Sequence, residues 1–163
     1  MLLRRHKRSN CRRLVRTRYE TASPEPPAHH HHRTPRRTQK IEMMPSPGAP
    51  ILVIKPQWLK KILEGEKTLE IRSSACRKEI GTTVFFSPSG SGQITGCATF
   101  QSSTHVPSED IWASLRLDHC VPGERPYRNT HAWRFCNAVT IEPPISYTVR
   151  PGTVVWRKYS PLS

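Results

Sequence analysis

Ile51-Leu52-Val53-Ile54-Lys55-Pro56-Gln57-Trp58-Leu59-Lys60-Lys61-Ile62-Leu63-Glu64-Gly65-Glu66-Lys67-Thr68-Leu69-Glu70-Ile71-Arg72 is the stretch where this chain commits to a fold. Its first four residues are an unbroken apolar run, the pattern of a short strand buried on both faces. Pro56 can open a helix because its missing N–H costs nothing in the first turn. Trp58, Leu59, Ile62 and Leu63 then form one apolar stripe, while Lys60, Lys61 and Glu64 face outward. Gly65 supplies the stop expected just past a helix C-terminus. From Lys67 the period changes to two, with Leu69 and Ile71 on one side and Thr68, Glu70 and Arg72 on the other. Strand, helix, strand is therefore the opening of the folded part.

Downstream the pattern stays mainly β. Thr82–Phe86 reads as a strand closed by Pro88-Ser89-Gly90, and Gln93–Ser102 as another, with Ile94, Cys97 and Phe100 as apolar members and Gly96 marking a bulge. Ser108-Glu109-Asp110 caps a short helix through Ile111, Trp112 and Leu115. Residues 117–130 read as loop. Ala132–Phe135 and Val139–Ile141 are expected strands bent around Asn137, and Thr153–Trp156 is the last. Many short strands with small helices predict a compact barrel that hides its edges by closing on itself.

Upstream the composition is different. Residues 1–49 hold 12 Lys+Arg against 3 Asp+Glu, a net of +9, whereas residues 50–163 hold 14 against 9, a net of +5. The first stretch is arginine-rich, then dense in proline (Pro24, Pro26, Pro27, Pro35, Pro45, Pro47) and interrupted by His29–His32. Proline at that density blocks helix and sheet hydrogen bonding, and there is little apolar surface to offset ordering entropy. The expectation is a disordered basic arm over 1–49, one domain over 50–158 and a short tail over 159–163. Such charge favours polyanions, among them RNA, DNA and acidic membrane surface. No apolar run reaches the roughly 18–20 residues of a membrane-spanning helix. The five cysteines are scattered and odd in number, which fits a reducing intracellular compartment. The basic start is compatible with nucleus, cytoplasm or mitochondrion. His119, Cys120, His131 and Cys136 match no closed zinc spacing, so no metal and no cofactor is expected.

Gly65, Lys67, Glu70 and Arg72 form a Gly-x-Lys-x-x-Glu-x-Arg string just after the first helix. With Gly92-Gln93-Ile94-Thr95-Gly96, His131-Ala132-Trp133 and Pro143-Pro144 ahead of Gly152-Thr153-Val154-Val155-Trp156, it resembles the ASCH family in residues and order. That resemblance implies a PUA-like barrel, a cleft beside the first helix and a role in binding RNA. Some small members of the family are amidohydrolases that act on an acetylated cytidine through a Lys–Thr–Glu arrangement. Their lysine falls on Lys67, but the position of their threonine is Glu70 here. Thr68 shares that strand face, yet two residues along a strand is roughly 6–7 Å, too far to assume the same geometry of attack.

Read physically, Glu70 and Arg72 leave one strand face together. They can form a structural ion pair, or they can offer a ligand an acceptor beside a planar donor fork. Lys67 lies at the strand mouth, and Lys55 leaves the first strand where the helix begins. Trp58 fits the apolar stripe as a core residue, which leaves Trp133 as the candidate cleft wall. The expected site is thus Lys55, Lys67, Glu70, Arg72 and Trp133, in an RNA-binding module with no membrane partner. The alternatives are a hydrolase acting on RNA or a modified nucleoside, and a protein-binding adaptor.

Overall fold

The computed structural model describes residues 43–152 and 154–163. The basic arm expected over 1–49 therefore lies, except for residues 43–49, outside the described residues. Six strands and three short helices follow in the order β1 (Pro50–Ile54), α1 (Pro56–Leu63), β2 (Leu69–Arg72), β3 (Thr83–Pro88), β4 (Gln93–Val106), α2 (Glu109–Ser114), α3 (Arg116–His119), β5 (Thr130–Ser146) and β6 (Trp156–Lys158). The strands form one sheet in the order β2-β5-β4-β3-β1-β6, antiparallel throughout except for the parallel β1–β3 pair.

The unbroken apolar runs are explained by cover on both faces. Leu52, Ile54 and Phe86 join Leu59 and Ile62 of α1 in one core, with Phe100, Trp133 and Phe135. Their strand neighbours Ile51 and Phe85 point the other way, into a second core with Ile94, Cys97, Ile141, Tyr147 and Tyr159. A third cluster holds Leu69 and Ile71 of β2 against Trp112 of α2. Tyr159 lies beyond the last strand, yet it is buried and its backbone exchanges hydrogen bonds with Gly48 and Ala49.

β4 and β5 run for 14 and 17 residues, and their pairing shifts register at three places. Bulges of this kind bend a strand and increase its twist. Asn137, with φ +55, marks the bend expected there, but the chain stays in one strand rather than two. Residues 117–130 are not all loop, because α3 occupies Arg116–His119. The last strand lies later than expected, at Trp156–Lys158.

The mainly β architecture with small helices is as the sequence implies. The closed barrel is not. β2 and β6 are the two edges of the sheet, and no ladder joins them among the described residues. The edge strands are only four and three residues long. A side chain crosses where a ladder would: Arg72 Nη2 donates to the carbonyl of Val53 on β1 at 2.9 Å. The seam left between these edges is where the candidate site lies.

Gly96 fixes how closely α1 approaches the sheet. A Cβ at this position would lie 2.5 Å from Leu63 Cδ2 and 2.9 Å from the carbonyl oxygen of Val139. Leu63 could turn aside, but the Val139 backbone is held in the β4–β5 ladder opposite Cys97. Gly96→Ala is expected to cost about 1–3 kcal/mol, as overpacking does, read from urea denaturation midpoints. A variant as stable as the parent would show that the helix seat is not tight.

Candidate functional site

The helix stop places the first site residue. Gly65, at φ +79, turns the chain out of α1, and the Lys67 side chain runs inward until only 2 % of the residue is exposed. Its ammonium donates to the carbonyls of Leu69 at 2.6 Å and His119 at 2.7 Å, and lies 3.6 Å from Glu70 Oε2. The Trp58 ring sits 5.3 Å away. Burial pushes the Lys67 pKa below its ordinary value, against the opposing pull of the Glu70 carboxylate.

Glu70 is also buried, and its Oε1 forms an ion pair with Arg72 Nη2, 3.0 Å away. That same nitrogen bonds Val53, while Arg72 Nε is buried with no hydrogen-bond partner. The guanidinium carbon lies 5.9 Å from the Trp133 ring. Lys67, Glu70 and Arg72 are therefore one connected network, which accounts for the spacing of the Gly-x-Lys-x-x-Glu-x-Arg string.

Above the network opens a cleft of about 470 Å³ whose lining includes Lys55, Trp58, Lys67, Glu70, Arg72 and Tyr127, with Val53, Ile71, Ser89, Val154 and Val155 among its other walls. Four of the five expected site residues meet here. Trp133 does not. It is buried in the core, stacks on Trp156 at 5.6 Å between ring centres and donates its indole N–H to the Ser74 carbonyl. Trp58 packs against the same core as its stripe implies, but it sits at the edge where the cleft opens, is only half-buried and also lines the cleft. Tyr127 and Ser89 were not foreseen, since both come from turns where neither period nor spacing marks a side chain. Thr68 is not a cleft residue: its hydroxyl donates to Asp118 Oδ1 at 2.8 Å, with Arg134 Nη1 at 3.5 Å.

Solved structures share this architecture. ASCH from Zymomonas mobilis matches with a TM-score of 0.53 at 14% identity, over 60% of this chain and 72% of that one. A serine-to-alanine mutant of ZmASCH gives 0.53 at 14% identity over 62% and 77%. A tyrosine-to-phenylalanine mutant gives 0.51 at 15% identity over 60% and 74%. The fold is ASCH-like. No protein-family model and no curated protein matches the sequence. The likeness is one of architecture.

His119 supports the network from behind. It is wholly buried, and its ring stacks on Trp112 with 3.6 Å between centres. Nδ1 accepts from the Val121 N–H at 2.9 Å, and Nε2 lies 3.0 Å from the Trp112 carbonyl. These partners fit only the neutral imidazole with its proton on Nε2, because a second proton on Nδ1 would face a donor. Burial accordingly lowers the His119 pKa, opposed by the Trp112 carbonyl, with Lys67 and Arg116 lowering it further and Asp118 raising it.

Two outcomes follow. Glu70→Gln leaves the buried Lys67 ammonium without its counter-charge and should cost about 3–5 kcal/mol, whereas the apolar double variant Lys67→Met with Glu70→Leu should cost less than this single change. Urea denaturation at fixed ionic strength distinguishes them, and a Glu70→Gln variant within about 1 kcal/mol of the parent would mean the pair is not sustaining the network. The second concerns pH. Because the folded His119 pKa is depressed, the unfolded chain takes up the proton first, so its contribution is present above the unfolded value near 6.5 and is lost as pH falls toward the folded pKa. Denaturation midpoints should drop between pH 7.5 and pH 5.5, and drop less in His119→Gln. His131, lowered by burial and by His105, acts in the same sense and leaves part of the slope in place. An unchanged slope in the variant would remove His119 as its source.

Proposed function

We propose that this chain is a nucleic-acid-binding module, RNA preferred, whose cleft takes one base or nucleoside unit of a strand. The observation that carries this is the floor of the cleft, where the Glu70 carboxylate stands beside the Arg72 guanidinium and Arg72 Nε has no partner. An acceptor next to a planar donor fork suits the edge of a heteroaromatic base. Trp58 and Tyr127 on the walls offer aromatic faces for stacking. Exposed Lys55 at the rim suits a phosphate, and a volume of about 470 Å³ lies within the range of small-molecule sites. The basic charge of the chain supports the same partner class.

One observation favours hydrolysis of the bound unit. A lysine with a lowered pKa beside a carboxylate is a pattern found at acid–base sites. Against it, the Lys67 ammonium already donates to two carbonyls, and the Thr68 hydroxyl is engaged by Asp118.

Tyr127, being 41% exposed, can be changed without disturbing the core. Tyr127→Ala in the full chain should weaken binding of a short single-stranded RNA by about 1–3 kcal/mol, the value of one base stacked on an aromatic ring, and RNA should be preferred over DNA of the same sequence. Titration of fluorescent oligonucleotides across a salt series measures both, and equal affinity in parent and variant would remove the cleft from binding. Cleavage of RNA or deacetylation of acetylated cytidine by the parent, absent from Lys67→Met, would instead establish the hydrolase.

A further inference from the structure

A second cavity, also of about 470 Å³, opens beside the C-terminal strand and is lined by Arg150, Arg157, Lys158, Trp156, Tyr159 and Val154, with no carboxylate among its described lining residues. Its walls are well tied. Arg157 donates to the carbonyls of Arg150 at 2.7 Å and Gly152 at 3.3 Å. Thr148 N bonds the Ser160 carbonyl, and Tyr159 N bonds the Ala49 carbonyl. Two carbonyls use two of the five guanidinium donors of Arg157, leaving three. Neither Arg150 nor Lys158 has an ion-pair partner among the described residues. Some exposed charges elsewhere do pair, as Lys61 does with Glu66 and Arg125 with Glu109, and others, such as Lys55 and Arg128, stand singly among the described residues. Three cations lining one cavity with no carboxylate is nevertheless a local exception, since the cleft includes Glu70 and the cavity beside α1 includes Glu64.

The position of this cavity gives the exception its meaning. Val154 belongs to its wall and also to the wall of the Glu70–Arg72 cleft. A strand with a base in the cleft and its backbone running over Val154 therefore enters a cavity lined by cations. We propose that the Arg150–Arg157–Lys158 cavity is a phosphate subsite for the nucleic-acid strand whose base occupies the cleft. This rests on the function proposed above, and extends it from a single unit to a strand of at least two nucleotides. Backbone phosphates are held by such cations without regard to sequence, whereas the cleft makes contact with the base.

The test uses the full chain and the double variant Arg150→Ala with Lys158→Ala, which leaves the carbonyl-bound Arg157 in place. Calorimetry follows binding of a free nucleoside, and fluorescence anisotropy follows a trinucleotide and a hexanucleotide of RNA across a salt series. The variant should bind the nucleoside as the parent does, lose the gain in affinity from nucleoside to trinucleotide, and show a log K versus log salt slope shallower by about 1.4, two contacts at roughly 0.7 each for single strands. An unchanged slope and an unchanged trinucleotide affinity would overturn the subsite while leaving the cleft intact. A parent that binds no nucleoside would sink the cleft, and the subsite linked to it. Loss of binding to anionic phospholipid vesicles in the variant, with oligonucleotide binding unaltered, would overturn the proposal in favour of a membrane surface.

Discussion

An ammonium group held out of water is the constraint around which this domain is arranged. A buried lysine is costly unless each of its donors is answered. Here Lys67 is answered by two backbone carbonyls and a carboxylate. Each answer fixes a different element. The Leu69 carbonyl sets the start of β2, the His119 carbonyl brings in the end of α3, and Glu70 hands the charge on to Arg72. His119 in turn must stay neutral to keep its own two partners, so the α2–α3 segment is bound to the electrostatics of the site as well as to the Trp112 core.

The same network explains why the sheet is open. A fully paired barrel would place a backbone ladder between β2 and the β1–β6 edge. Instead, Arg72 fills that position with a side chain, and the space beside it is the cleft. Opening and site are one feature. This is why residues from both sides of the opening, Val53 of β1 and Val155 ahead of β6 on one side and Ile71 and Arg72 of β2 on the other, line a single cavity.

Much of this was legible from periodicity. The α1 stripe, the Ser108 cap, which accepts from Ile111 N, and the alternation of Glu70 and Arg72 are local patterns, and local patterns survive folding when the core agrees with them. Gly96 was legible as a bulge, but not as the seat of Leu63, because that contact joins α1 to β4 across the sheet. That Trp133 is core, and that Trp58 faces the cleft as well as the core, was hidden for a similar reason. A helix stripe says which residues are apolar, whereas the width of the buried strip depends on how far the neighbouring strands extend. Closure of the barrel was the largest departure. Counting short strands cannot reveal that a guanidinium, and no ladder, links edge strand β2 to β1.

The seam also has a mechanical character. Strands paired by a ladder separate only by breaking several main-chain bonds together, which makes such a wall stiff. Across this seam the described link is the Arg72–Val53 bond, and a hydrogen bond to a charged group contributes about 1.5–3 kcal/mol. An acceptor presented to Arg72 from the cleft would exchange for that bond without breaking any strand ladder, while the Trp133–Trp156 stack still joins the two sides from behind. The sheet is therefore held by a side chain at this seam and by main-chain ladders between its neighbouring strands.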